Sequence, residues 1–173
     1  MPKILKNIRE KLLIEGRKIL LEKNYEELNI RDVCKNCNIA IGTFYNYFSS
    51  KDHLVREIFA SDWEKSIKII EKIRLSDATL KEKIYNLYIE LDKFINKYIS
   101  TFYVLSFKKG SGPSNHPKIY SEISKLIDYE KQRGTIVNPL DSNKLAQFII
   151  YNFVCLNQSK YISFEELYLL LNL

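Results

Sequence analysis

Residues 29–54, NIRDVCKNCNIAIGTFYNYFSSKDHL, carry the clearest structural signal in the chain. Asn29 is a residue type that caps helix N-termini, and Asp32 lies in the turn that follows, where the helix dipole favours a negative charge. Asn38 tolerates the left-handed conformation that a sharp turn requires. The pattern therefore predicts two short helices joined by a tight turn, a helix-turn-helix whose second helix runs from Ala40 to Phe48.

Helical periodicity extends to both sides of this stretch. Upstream, apolar residues recur on one face of a first helix predicted from Ile4 to Lys23, and Asn24 is predicted to end it in the left-handed conformation. Downstream, further helices are predicted at 52–74, 80–107, 118–133, 142–160 and 163–171. Gly and Pro cluster in one predicted loop, Lys108–Pro117, and no segment shows the alternation of a strand. The sequence therefore predicts an all-α protein.

The charge is unevenly distributed along the chain. In total, 27 Lys and Arg stand against 21 Asp and Glu, a net charge of +6. Residues 1–56 hold 11 basic and 7 acidic side chains, which gives +4, and the rest hold 16 and 14, which gives +2. A basic segment attracts phosphate, although a lysine-rich solvated surface has the same composition. We find no apolar signal core and no apolar run of membrane length, and we expect a cytoplasmic protein without membrane contact.

Residues 39–54, IAIGTFYNYFSSKDHL, closely resemble the signature of the TetR (tetracycline-repressor) family of transcriptional regulators. In that signature a Gly-Thr-(Leu or Phe)-Tyr-x-(Tyr or His)-Phe core precedes a lysine at the start of the next helix. Leu12, Gly16 and Tyr25 match the family's first helix, and residues 31–33 match its second.

The resemblance, which spans residues 8–56, implies a three-helix DNA-binding domain at 1–52 and a helical ligand-binding and dimerisation domain at 53–173. The second helix of the pair is implied to enter the major groove of double-stranded DNA. The residues implied to contact DNA are Arg31, Ile41, Gly42, Thr43, Tyr45, Asn46, Tyr47 and Lys51. Lys51 is implied to hold a phosphate at a helix N-terminus, whereas Phe44 and Phe48 are expected to pack in the core.

The predicted helix 80–107 is rich in aromatic residues. Because the C-terminal domains of TetR-family proteins often enclose an apolar pocket, this helix is implied to border a site for a small hydrophobic or aromatic effector. The loop Lys108–Pro117 is a candidate lid for that site. The candidate lining residues are Tyr88, Phe94, Tyr98, Phe102 and Tyr103.

The last two predicted helices, 142–160 and 163–171, have apolar faces larger than a single short tail needs. They are predicted to form the seam of a homodimer, whose two DNA-binding domains read half-sites about 34–36 Å apart in a palindrome. The apolar residues of the predicted seam are Leu145, Phe148, Ile149, Phe153, Leu156, Phe164, Leu167, Leu170 and Leu171.

Cys34 and Cys37 have the spacing of a redox or zinc motif. Redox pairs lie at helix N-termini, where the dipole lowers the thiol pKa, but this pair lies at a predicted helix C-terminus. Zinc needs about four ligands, and His53 and His116 lack the spacing that would complete a site. We therefore predict core packing, no metal and no cofactor, and we leave a thiol-sensing role open.

The predicted function is that of a DNA-binding transcriptional regulator, a repressor that binds a palindromic operator as a dimer and leaves it when a small hydrophobic ligand binds. We recognise no catalytic triad, phosphate loop or carboxylate pair, so an enzyme is not expected. Two alternatives stay open. One is a TetR-like DNA-binding protein whose C-terminal domain binds a protein partner and no small molecule. The other is a helical binding module whose basic N-terminal domain is incidental.

Overall fold

The computed structural model describes residues 7–107, 117–159 and 161–173, with the backbone alone described at 99–100, 102–107 and 117. These residues contain eight helices and no strand, which confirms the predicted all-α class. The helices are α1 (Ile8–Glu22), α2 (Ile30–Asn36), α3 (Ile41–Tyr45), α4 (Lys51–Leu75), α5 (Leu80–Phe107), α6 (Pro117–Gln132), α7 (Ser142–Ser159) and α8 (Phe164–Leu171).

The described residues divide into two units. Unit 1 contains those up to Trp63 together with 99–107, and unit 2 contains Glu64–Tyr98 together with those from 117 onward. The division therefore falls inside two continuous helices, α4 and α5. The domain boundary between residues 52 and 53 lies at the start of α4 and stays a prediction.

Unit 1 depends on a close approach between α1 and α4. A β-carbon at Gly16 would lie 2.9 Å from Leu54 Cδ2 and 3.2 Å from Ile58 Cδ1, so glycine is what lets the two helices come this near. The guanidinium of Arg17 forms an ion pair with Asp62 at 3.0 Å. An apolar contact and a largely buried ion pair thus fix α1 against the first half of α4.

Of the two asparagines predicted in the left-handed region, one is confirmed. Asn38 has a φ of 55° and forms the turn between α2 and α3. The prediction for Asn24 is wrong, because the residue that caps α1 is Lys23, whose φ is −116°. The side-chain carbonyl of Asn24 instead accepts a hydrogen bond from the Glu27 N–H at 2.9 Å. Asn24 therefore stabilises the turn that follows the helix by a local side-chain bond.

The second helix of the helix-turn-helix is shorter than predicted. α3 has five residues, Ile41–Tyr45, and the chain then turns before Phe48. Ala40 stands at its N-cap position without a side-chain hydrogen bond, since alanine has no acceptor to offer. In contrast, α2 begins where predicted, because the Asn29 side chain accepts from the Arg31 N–H at 2.9 Å.

Unit 2 has its own apolar core, in which α6 and α7 pack against each other. α8 follows α7 and begins with a capping box. The Ser163 hydroxyl accepts from the Glu166 N–H at 3.2 Å, and the Glu166 carboxylate accepts from the Ser163 N–H at 2.7 Å. This cap fixes where the last helix starts.

The assignment of nine apolar residues to a dimer seam is largely wrong. Of these nine residues, Phe148 and Leu170 are exposed and the other seven are buried within the chain itself. The physical reason is that α7 and α8 need their apolar faces to cover the core of unit 2 itself. The seven buried residues are Leu145, Ile149, Phe153, Leu156, Phe164, Leu167 and Leu171.

A buried ion pair lies inside unit 2. The Lys83 ammonium of α5 has no exposed surface and donates to Glu130 Oε1 of α6 at 2.8 Å and to the Arg74 carbonyl of α4 at 3.3 Å. The Glu130 carboxylate also accepts from the Thr135 hydroxyl at 2.6 Å. These bonds satisfy both charges and tie three helices together, which a buried ion pair requires if it is not to destabilise the fold.

Candidate nucleic-acid interface

Apolar side chains hold the helix-turn-helix together from inside. Val33 and Cys34 of α2 are buried, and Phe44 and Phe48 have no exposed surface. The Ile39 N–H donates to the Cys34 carbonyl at 3.0 Å and closes the turn. The expectation that Phe44 and Phe48 pack in the core is confirmed.

The residues of α3 that are predicted to contact DNA lie on its outer side. Large side chains exposed on so short a helix offer hydroxyl groups and apolar surface that base edges and phosphates can contact. Thr43 is half-buried. The exposed residues are Ile41 (41%), Gly42 and Tyr45 (54%) of α3, with Asn46 and Tyr47 (38%) in the turn that follows it.

A groove of about 700 Å³ lies along part of this surface. Four of the predicted DNA contacts line it, namely Arg31, Ile41, Tyr45 and Lys51, together with residues 26–30 and 32. The other four predicted contacts do not line the groove. The structure thus brings the first turn of α2, the outer side of α3 and the start of α4 together along this groove.

Lys51 is engaged within the chain. Its ammonium donates to the carbonyl oxygens of Tyr25 at 2.9 Å and Glu26 at 3.4 Å, and it lies 4.4 Å from the centre of the Tyr25 ring. The Tyr25 hydroxyl donates to the Asp52 carboxylate. Burial, reinforced by Asp52, raises the pKa of Tyr25 far above its ordinary value. No local pattern indicates these contacts, because they join residues about 26 positions apart.

Cys34 and Cys37 have the environment of packed thiols. Cys34 is buried and Cys37 is half-buried. Burial raises the pKa of both thiols, and the carboxylate of Glu15 raises that of Cys37 further. Both sulfurs are therefore held as neutral thiols near neutral pH, which favours the packing role. Across the described ranges, no three His, Cys, Asp or Glu side chains lie together so that they could hold a metal ion.

Three of the predicted effector residues lie in unit 2 with their side chains described. Phe94 and Tyr98 are buried, and their ring centres are 5.1 Å apart. The Tyr88 ring packs on Phe153 at 5.3 Å and on Phe164 at 5.5 Å. All three are therefore already in contact with other aromatic rings.

The remaining effector predictions fall outside the described residues. These are the side chains of Phe102 and Tyr103 and, apart from the Pro117 backbone, the candidate lid Lys108–Pro117. A second cleft, of about 490 Å³, is lined by none of the predicted effector residues. Its lining residues are Glu64, Ile67, Lys118, Ser121, Glu122 and Lys125. Where the structure is described, each helix is too short or too polar to cross a membrane.

The family model for bacterial regulatory proteins of the tetR family matches residues 12–58, a segment that contains most of α1, the helix-turn-helix and the start of α4. Residues 12–58 therefore belong to the TetR family. The match confirms the family that residues 39–54 resemble, and it covers the part of unit 1 that forms the groove and the outer side of α3.

Individual TetR-family relatives agree with this assignment. The HTH-type transcriptional regulator UidR of Escherichia coli K12 is 32% identical over 59 residues, which are 34% of this chain and 30% of UidR. The match thus spans less than a third of that relative. The fold is shared more widely, since Salmonella enterica GusR has a TM-score of 0.73 at 16% identity over 91% of this chain and 86% of GusR.

A second solved structure shares the TetR-family fold. FadR from Bacillus subtilis, solved in complex with stearoyl-CoA, has a TM-score of 0.60 at 19% identity over 87% of this chain and 89% of FadR. At these identities the likeness shows the fold alone.

Proposed function

We propose that this TetR-family protein is a DNA-binding transcriptional regulator, a repressor whose α3 enters the major groove. The outer side of α3 carries the proposal. Ile41 and Tyr45 are exposed on α3 and Tyr47 is exposed in the turn that follows it, although the neighbouring aromatic residues Phe44 and Phe48 are fully buried. A helix that leaves large side chains in solvent gives up the stabilisation of burial, and contacts with base edges and phosphates replace it.

Within this proposal the side chains contact different parts of the duplex, according to their chemistry. Tyr47 contacts the phosphate backbone, Arg31 contacts a phosphate or a base edge, and Ile41 contacts thymine methyl groups. Lys51, which lines the groove at the start of α4, contacts a phosphate. Hydroxyl and amide groups for base edges and phosphates come from Thr43, Tyr45 and Asn46.

Enrichment of duplexes from a random-sequence pool by the wild-type protein tests this function. We expect an enriched palindrome whose half-sites lie about 10–10.5 base pairs apart, or a multiple of that distance. Its affinity should fall steeply with salt, since phosphate contacts release counterions. Recovery of no preferred sequence, with all binding lost at moderate salt, would contradict a regulator and support the helical binding module.

The substitution Gly42→Ala tests how closely the backbone of α3 approaches DNA. A β-carbon there would meet nothing within 4 Å, and its φ is not in the left-handed region. Gly42→Ala should therefore keep the fold and stabilise α3 by up to about 1 kcal/mol. Against the enriched duplex the added methyl should clash and weaken binding by about tenfold or more, or ~1.4 kcal/mol. Thermal unfolding and fluorescence anisotropy measure the two effects, and unchanged affinity would place this backbone away from the duplex.

We also propose that two copies associate through the outer sides of α7 and α8. Phe148 and Tyr151 of α7 are 49% and 60% exposed, and Leu169 and Leu170 of α8 are 77% and 72% exposed. Large apolar side chains left in solvent on the last two helices are typical of a protein–protein interface. A homodimer would carry two helix-turn-helix units, which is what a palindrome requires.

The double substitution Phe148→Glu and Leu170→Glu should convert a homodimer into a folded monomer. Both side chains are exposed in a single chain, so the substitutions cost little unless a partner covers them. Sedimentation velocity at micromolar concentration measures the assembly, and Gln158→Glu on an exposed position of α7 is the control. A monomeric wild-type protein, or a dimer that survives the double substitution, would rule out this interface.

For unit 2 we propose a small hydrophobic effector whose binding releases DNA. What supports this is the fold shared with FadR, which is solved in complex with stearoyl-CoA. With stearoyl-CoA as the probe, we expect a higher melting temperature and a loss of DNA affinity of about 1–3 kcal/mol, or roughly 5–150-fold. DNA should weaken stearoyl-CoA binding by the same factor, because coupling between two sites is reciprocal.

One observation favours the alternative, in which unit 2 binds a protein partner and no small molecule. The Tyr88 ring already packs against Phe153 and Phe164, so these two side chains take up space beside the ring that a ligand would need. No change in melting temperature and no change in DNA affinity, across acyl-CoA probes of several chain lengths, would support this alternative.

A further inference from the structure

Residues 36–50, which contain the turn of the helix-turn-helix and all of α3, include no Lys, Arg, His, Asp or Glu. So long an uncharged stretch stands out in a chain in which 28% of the residues are Asp, Glu, Lys or Arg. Lys35 and Lys51 flank the stretch directly. Charge is therefore placed at both ends of the segment that is proposed to meet the bases, and none lies within it.

The groove along α3 has two cations among its lining residues, and neither belongs to α3. Arg31 is in the first turn of α2, and Lys51 begins α4. Contacts from such cations to phosphates position a protein on DNA without distinguishing one base sequence from another. A guanidinium at the place of Arg31 can in addition contact one guanine. Recognition of the other bases is left to the uncharged side chains of α3.

A helix without charged side chains recognises G·C pairs poorly. The commonest specific contact with guanine is the bidentate bond from Arg or Lys, and Asp or Glu accepts from the amino group of cytosine. Adenine is instead recognised by the amide of Asn or Gln. The exposed Asn46, at the C-cap of α3, has such an amide. The polar groups near α3 therefore favour A·T pairs.

The start of α3 is apolar as well as uncharged. Ala40, Ile41 and Gly42 are all exposed, and Ile41 lines the groove. In a helix-turn-helix the N-terminal residues of the second helix contact the base edges. The apolar group that a base pair presents in the major groove is the C5-methyl of thymine. Apolar side chains at this end of α3 therefore match thymine and offer no hydrogen bond to a G·C pair.

We propose that α3 recognises a core of A·T pairs in each half-site, with thymine methyl groups packed against Ala40 and Ile41. A G·C pair is confined to the position beside this core that Arg31 reaches. The inference rests on the proposed function, and it names the class of DNA sequence that the protein binds.

Enrichment of duplexes by Ile41→Ala, compared with the wild-type protein, identifies the base pairs beneath α3. Ile41 is exposed, so its melting temperature should stay near that of wild type. The positions at which the substitution relaxes the preference should be A·T pairs in the wild-type site. Ile14→Ala, at an exposed isoleucine of α1, is the matched control and should relax no position. G·C pairs at the relaxed positions, or a preference that Ile41→Ala leaves unchanged, overturn the proposal.

Uracil in place of thymine removes the C5-methyl and keeps the hydrogen-bonding groups of the base. With uracil at the relaxed positions, the wild-type protein should bind about fourfold more weakly for each buried methyl that is lost. Ile41→Ala should lose less than about twofold at the position that Ile41 contacts, because the partner of the methyl is gone. Uracil at thymines outside the half-sites is the control and should change nothing. Equal affinity of the wild-type protein for the thymine and uracil duplexes overturns the proposal.

Failure of the proposed function gives a different result. If the wild-type protein enriches no duplex, regulation by DNA binding is contradicted and the A·T core falls with it. If a duplex is enriched and the pairs beneath α3 are G·C, the proposed function stands and the A·T core alone is wrong.

Discussion

Replacing Glu130 by leucine is expected to destabilise unit 2 by about 3–5 kcal/mol, because the Lys83 ammonium is left charged and without its carboxylate in a site that has no exposed surface. That loss is a large fraction of the ~5–15 kcal/mol that keeps a typical protein folded. Denaturant unfolding followed by circular dichroism measures it.

The double variant Lys83→Met with Glu130→Leu is the matched control. It removes both charges and keeps similar side-chain volumes, so most of the lost stability should return. A double variant as unstable as Glu130→Leu alone would show that the shape of the site, and not the unpaired charge, causes the loss.

The same ion pair makes stability depend on pH. Burial alone would raise the pKa of Glu130, but the hydrogen bonds from Lys83 and Thr135 and the charge of Lys83 outweigh it and lower the pKa below its ordinary value of 4.5. The stabilising contribution is therefore complete above that ordinary pKa and is lost as the pH falls through the lowered one. The double variant should lack this part of the acid sensitivity.

Phe153→Glu is expected to unfold unit 2. Phe153 is 1% exposed, and its ring centre lies 5.3 Å from that of Tyr88 and 6.4 Å from that of Phe164. Loss of a buried phenylalanine costs about 3–5 kcal/mol, and a carboxylate without a partner adds the cost of its desolvation. Thermal unfolding should show no cooperative transition for this variant near room temperature.

Phe148→Glu on the same helix is the control for that variant. Phe148 is exposed, so its substitution should change the free energy of unfolding of the monomer by less than about 0.5 kcal/mol. Equal destabilisation by the two substitutions would contradict the assignment of a buried and an exposed side to α7.

Much of the helix-turn-helix could be predicted because its signals are local. A capping side chain at Asn29 and a left-handed residue at Asn38 act within a few positions of themselves, and both are found where predicted. The length of α3 was harder to predict, since the aromatic residues after Tyr45 suit a helix or a turn equally well. The bonds of Lys51 to Tyr25 could not be predicted, because they depend on how α1 and α4 approach each other.

The roles of the apolar residues in α7 and α8 could not be assigned from their pattern. Periodicity shows that a helix face is buried but not what buries it. Leu145 and Phe153 are covered by their own chain, whereas Phe148, on the same helix, is not. The aromatic residues of α5 have the same ambiguity, because Tyr88 would suit a pocket wall as well as the ring contacts that it makes with Phe153 and Phe164.

The affinity of the wild-type protein for the enriched duplex, compared with a scrambled duplex of the same composition, tests DNA recognition by α3 most directly. At physiological salt we expect a preference of about a thousandfold or more for the enriched duplex. Thr43→Ala combined with Tyr45→Ala should remove most of that preference while the melting temperature stays near that of wild type, since neither side chain is buried. Equal affinity of the wild-type protein for both duplexes would contradict sequence recognition by this surface.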